Sequence, residues 1–144
     1  MVRLRPGWLV VLCAAVVGAS CFMPWLIRTD GGGRASAIGG IVGQMDQLPR
    51  GFGPGQLILL LAALLVVAGA MAARSLLGRT AAAVAFLLAL LIAVVTTWYY
   101  RLYVFDGVTA GYGMYVGGGA AVAAALLSVW AMAVAWAEAR RRAE

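Results

Sequence analysis

The chain of 144 residues has no lysine, no histidine and no asparagine, and only five carboxylates; all eleven basic residues are arginine. Without histidine it lacks the usual axial ligand of a haem b and the commonest zinc ligand. Charge of either sign is scarce, at 11% of residues where a soluble domain carries about 25%. That charge also avoids the apolar runs, since no Asp, Glu or Arg falls within 8–27, 56–73, 80–98 or 114–137. Proton- and ion-coupled transporters keep ionisable groups at membrane depth, because the coupled charge is bound and released there. A small multidrug exporter would need an acidic residue in its first helix. The sequence therefore argues against a stand-alone secondary transporter.

Cysteine is nearly absent too. Cys13 and Cys21 share one apolar run, and on a helix eight residues separate them by about 12 Å. A disulfide reaches about 7 Å, and there is no CxxC. The two thiols read as small hydrophobes, not as a redox pair. Catalytic groupings are equally thin. Asp30, Asp46 and Asp106 have no histidine partner, and Gly31–Gly33 is expected to follow no strand and to precede no phosphate-cradling helix. No enzyme activity, cofactor or metal is expected.

What is present is apolar: 65% of residues are hydrophobic and the mean hydropathy is +0.98. At about 20 residues per crossing, the four runs predict an all-α membrane protein. It is expected to be one domain, 1–144, with four transmembrane helices in an antiparallel bundle. The expected spans are 8–27, 56–73, 80–98 and 114–137, with outer loops 28–55 and 99–113. The dominance of Ala, Gly, Val, Leu and Arg reads as the codon bias of a GC-rich genome. The net charge of +6 sits in arginines dispersed at helix ends, so no nucleic-acid partner is expected.

Arg3 and Arg5 precede the first run, and Gly18-Ala19-Ser20-Cys21 faintly resembles a lipoprotein cleavage site. The run continues through Phe22–Ile27, which favours an uncleaved first helix kinked or ended at Pro24. In the first loop, Ile38, Ile41, Val42, Met45 and Leu48 fall on one helical face, predicting a short amphipathic helix weakened by Gly39, Gly40 and Gly43. Arg74 and Arg79 bracket a tight turn between the second and third spans. Ala81, Ala85, Ala89 and Ala93 repeat at i+4, as do Gly113, Gly117, Ala121 and Ala125. Such small-residue seams let helices approach closely in lipid. Ala82 falls off the first of them.

Short segments carrying Arg3, Arg5, Arg74, Arg79 and Arg140–Arg142 lie on one side of this layout. Arg28, Arg34, Arg50 and Arg101 lie on the other, in longer ones. The first group is expected to be cytoplasmic, placing both termini inside the cytoplasmic membrane. Ten of the fourteen aromatics (five Trp, five Tyr, four Phe) then gather at the outer side. Tryptophan, tyrosine and arginine dominate binding hot spots, so Trp25, Trp98, Tyr100, Arg101, Tyr103 and Phe105 are the candidate partner anchors. The competing reading is an aromatic belt at headgroup level. Arg101 and Asp106 either orient the outer turn or form a solvated pair worth under about 1 kcal/mol.

Pro24-Trp25-Leu26 ahead of a Gly-rich loop, and YGMYVGGGA at 112–120, give a layout that resembles small uncharacterised four-helix membrane proteins of high-GC actinobacteria, which carry a Pro-Trp at the end of helix one. The resemblance implies a role in the cell envelope and transfers no site residues. The expected function is a non-enzymatic accessory or assembly subunit of a larger envelope or membrane complex. Its expected partners are membrane lipids and other membrane protein subunits. The alternative is a lipid- or hydrophobe-binding protein whose bundle opens toward the outer leaflet.

Overall fold

A computed structural model describes residues 5–45 and 53–144. Four helices dominate it: α1 (Pro6–Ser20), α2 (Pro54–Ala73), α3 (Gly78–Tyr103) and α4 (Tyr112–Arg141). Four short strands lie between them: β1 (Pro24–Arg28), β2 (Arg34–Ser36), β3 (Ile41–Val42) and β4 (Val108–Ala110). Three of the helices, α2, α3 and α4, are long and apolar enough to cross a membrane. The fourth, α1, has 15 residues and is about 22 Å long. The helices pack as a ring, α1 on α2, α2 on α3, α3 on α4 and α4 on α1.

The first helix ends seven residues before the expected boundary, and the reason is local. In a continuing helix the Ser20 carbonyl would accept the N–H of residue 24, but that residue is proline and has none. The Trp25 indole N–H donates to Ser20 O instead, at 2.7 Å. Released from the helix, Pro24–Arg28 becomes one of the two inner strands of a sheet ordered β3-β2-β1-β4. Proline at the first residue of β1 sacrifices little of the ladder.

All pairings in the sheet are antiparallel. On one side of β1, Pro24 pairs with Ser36 and Leu26 with Ala35, so β1 holds one extra residue, Trp25, in a bulge. A regular strand turns successive side chains to opposite faces. The bulge breaks that alternation and lets Trp25 and Leu26 both be buried. On the other side, Leu26, Ile27 and Arg28 pair with Ala110, Thr109 and Val108. The α1–α2 and α3–α4 connections are thereby joined in one sheet at one end of the bundle.

No amphipathic helix forms over Ile38–Met45. Gly39 and Gly43 stand at φ +95° and +86°, which a right-handed helix cannot use. Ser36–Gly40 closes as a turn, with Ser36 N bonded to Gly40 O at 2.8 Å, and Ile41–Val42 runs back as β3. Leu48, the last member of the expected face, lies outside the described residues, as do Asp46 and Arg50. At the opposite end of the bundle α2 and α3 are joined by the expected tight turn. Ser75 and Leu77 adopt left-handed φ of 58° and 50° there, and the Arg5 guanidinium donates to Ala73 O and Ser75 Oγ.

The core is built on small residues with a spacing that alternates three and four. It runs Gly7, Val10, Ala14, Val17 on α1 and Gly55, Ile58, Ala62, Leu65, Gly69 on α2. On α3 it runs Ala82, Ala85, Ala89, Ile92, Thr96, Tyr99, and on α4 Met114, Gly117, Ala121, Ala124, Ser128, Ala131. This 3.5-residue repeat is the seam of a left-handed four-helix bundle. It corrects the strict i+4 seams. Ala81, Ala85 and Ala89 are buried as expected, but Ala93 is only half-buried, and Ala82 is fully buried. On α4, Gly113, Gly117 and Ala121 are buried, while Ala125 gives way to Ala124.

Candidate functional site

The sheet end of the bundle is plugged by Trp25, whose exposure is 0%. It was expected as an exposed anchor, but the bulge turns it inward. Its ring meets Tyr99 edge-on, with centroids 5.2 Å apart at 81°, and Tyr99 in turn lies 4.7 Å from Tyr103. Edge-to-face pairs of this kind add about 0.5–1.5 kcal/mol beyond the area they bury. The opposite wall is glycine. A Cβ at Gly113 would stand 2.8 Å from Trp25 Cδ1, and one at Gly117 would stand 3.0 Å from Trp25 Cζ2 and 2.5 Å from Ser20 Oγ. The small residues of α4 thus serve to receive the indole as much as to bring helices together.

The chain locks this plug with main-chain bonds. Gly111 N–H donates to Trp25 O at 2.7 Å, just before α4 begins. Thr29 N–H and its hydroxyl both donate to Gly107 O, at 3.0 and 3.1 Å. Beneath it, Ser20 Oγ donates to Val17 O at 2.7 Å. Thr96 Oγ1 and Tyr99 OH are buried without a hydrogen-bond partner among the described residues.

Around the plug stands a rim of exposed aromatics. Trp98, Tyr100 and Phe105 are about half exposed, Arg101 is exposed, and Tyr103 is half-buried against Tyr99. All but Phe105 belong to α3, which continues to Tyr103, so the first five residues of the expected 99–113 loop are helix. Helical geometry divides them. Trp98 and Arg101 are three residues apart and share a face, whereas Tyr100 is turned about 200° from Trp98. Trp98 and Arg101, with Ala93, Val94 and Thr97, line an open recess of about 390 Å³ along α3.

No family model, curated protein or solved structure matches this chain. The reading of its function therefore rests on the residues themselves. Phe22, Tyr112 and Tyr115, counted among the ten outer aromatics but not among the candidate anchors, are exposed too and border the sheet end. Sequence reasoning missed the plug. The signal was the proline at 24, which withholds the i+4 donor from the Ser20 carbonyl; Met23 N–H and the Trp25 indole both donate to it.

Proposed function

We propose that the chain crosses the cytoplasmic membrane four times with both termini inside. In this reading it is a non-enzymatic accessory subunit of an envelope complex and docks a second membrane protein through its aromatic rim. Support for the fourth crossing comes from the way α1 is completed. Irregular backbone is tolerated at membrane depth only where protein buries it. Of the residues that follow α1, Cys21, Trp25 and Leu26 meet that condition by burial and β1 is hydrogen-bonded on both sides, while Phe22 and Met23 stay exposed.

The single observation that carries the docking role is the welding of both connections into one sheet through β1 and β4. A rim held by such a ladder loses little conformational freedom when a partner binds, and so keeps more of its contact energy as affinity. The layout shared with the four-helix actinobacterial proteins is consistent with an envelope setting. Of the candidate anchors, Trp98 and Arg101 fit best, since they share a face and border the α3 recess.

The test is affinity purification of the full-length protein in mild detergent, followed by mass spectrometry. The double substitution Trp98→Ala and Arg101→Ala is expected to release a stoichiometric membrane protein while expression and insertion stay normal. The substitution Trp136→Ala, on α4 far from the sheet, is expected to retain it. If every co-purifying protein stays with the double variant, the rim is only a belt.

A further inference from the structure

The end of the bundle opposite the sheet holds a second concavity. It is a recess of about 290 Å³ between the start of α1, the α2–α3 turn and the last turns of α4. Among the described residues, Arg5, Arg79 and Arg142 stand on its wall against one carboxylate, Glu138. Its apolar side is formed by Ala72, Ala131, Val134 and Ala135. We propose that this recess binds the phosphate of an anionic phospholipid, with the guanidinium groups on the headgroup and the alanine and valine wall against the glycerol and upper acyl chain.

Three observations converge on that ligand. First, two of the arginines are held in place. Arg5 is fixed by its bonds to Ala73 O (3.0 Å) and Ser75 Oγ (2.9 Å), which use one of its nitrogens. Its planar fork has five N–H donors in all, so others remain for a ligand. Arg79 lies over the Trp136 ring, 5.0 Å from its centroid. Guanidinium groups pair with phosphate oxygens through strong, often bidentate, charge-assisted bonds.

Second, α1 and α3 both begin at this recess, and neither has a capping side chain or an acidic residue in its first turn. Helix N-termini carry unsatisfied N–H groups and the positive end of the dipole, which favours an anion. The carbonyl ends of α2 and α4 lie at the same end and oppose an anion; Arg5 occupies Ala73 O at the first, and Arg140, Arg141 and Arg142 stand at the second.

Third, the recess is amphipathic in the sense a lipid requires. Trp136 is half exposed beside Arg79, and tryptophan settles at headgroup level. Ala131, Val134 and Ala135 precede Trp136 on α4, Ala72 adds to the wall from α2, and Arg142 lies beyond Trp136. A free phosphate would satisfy the arginines and leave that apolar wall unused.

The test is native mass spectrometry of the full-length protein in detergent, with phosphatidylglycerol and phosphatidylcholine of matched chains offered together. Phosphatidylglycerol adducts are expected to dominate. Arg79→Gln with Arg142→Gln is expected to lower them by about fivefold or more, toward the phosphatidylcholine level. The substitution Val134→Trp, which fills the recess and leaves every arginine in place, is expected to do the same. Arg34→Gln, a loss of charge on exposed β2 at the sheet end, is expected to leave them unchanged. Far-ultraviolet circular dichroism shows which variants are folded, and either recess variant suffices. Equal retention of the two lipids, or undiminished phosphatidylglycerol on a folded recess variant, overturns the site. Complete displacement by millimolar inorganic phosphate would overturn the lipid as its occupant.

Discussion

Three consecutive glycines on α4 give the sharpest test of the packing at the sheet end. Gly117, Gly118 and Gly119 are chemically identical, so replacing each by alanine adds the same methyl group. Intrinsic propensity favours alanine in a helix by about 0.8–1.0 kcal/mol. The surroundings differ. At Gly119 nothing lies within 4 Å of the new Cβ, and at Gly118 only Thr96 Cγ2 is near, at an ordinary 3.7 Å. At Gly117 the methyl would meet Ser20 Oγ at 2.5 Å and the Trp25 ring at 3.0 Å. Neither neighbour can retreat easily, because Ser20 Oγ is bonded to Val17 O and the indole to Ser20 O. Overpacking of this sort costs about 1–3 kcal/mol. Gly119→Ala is therefore expected to be neutral or mildly stabilising, and Gly117→Ala to fall about 1–3 kcal/mol below it. Adding Ser20→Ala to Gly117→Ala removes the closest contact and is expected to recover part of the loss, a coupling that a double-mutant cycle isolates. The measurement is reversible unfolding in mixed micelles titrated with a denaturing detergent, followed by tryptophan fluorescence. Equal effects of Gly117→Ala and Gly119→Ala would show that Trp25 does not sit against α4.

Other expectations follow from the same interior. Ala82→Leu is expected to cost about 1–3 kcal/mol, as much as Ala89→Leu, while Val84→Leu on the exposed face stays near neutral; thermal unfolding of the three variants checks this. Trp25→Ala is expected to cost about 3–5 kcal/mol in the micelle titration, and a cost near zero would refute the plug. Tyr99→Phe removes a buried hydroxyl that has no partner among the described residues. It is expected to leave stability unchanged or raise it by about 1 kcal/mol, and a clear loss in the same titration would reveal a bond to that oxygen. With Cys13 and Cys21 changed to Ala, a Cys at Asp106 is expected to react with an impermeant thiol reagent in intact cells and an added C-terminal Cys is not; the reverse pattern would invert the proposed topology.

The helical framework was largely legible from apolar runs and from the arginine-bracketed turn at 74–79. The first boundary was not, because Trp25–Ile27 is as apolar as the helix before it, and an unbroken apolar stretch does not separate strand from helix. The 3.5-residue repeat was hidden for the same reason. In α3 almost every position is apolar, so a seam can be recognised only by what covers it, and the recurrent alanines suggested i+4. Ile38–Met45 has helical periodicity, but two glycines at positive φ override it. At the site, sequence reasoning found Trp98 and Arg101 together and placed Trp25 among them. Burial of Trp25 depends on a bulge whose partner residues come from β2, which no local pattern reports.

The pairing of β1 with β4 also constrains the order in which the molecule can be made. Thr109 and Ile27 are joined across 82 residues of chain. During synthesis β1 is complete long before β4 exists, so one edge of its ladder stays open until the last helical hairpin has been delivered. The same is true of Trp25, since Gly113 and Gly117 lie on the final helix. Contacts so distant in sequence are slow to form, because loop closure precedes any gain from them. A chain halted before β4 would present an open strand edge and an uncovered indole side by side. Completion of the sheet is thus a late step that converts a string of inserted helices into a closed unit, and an unfinished chain carries its own visible mark.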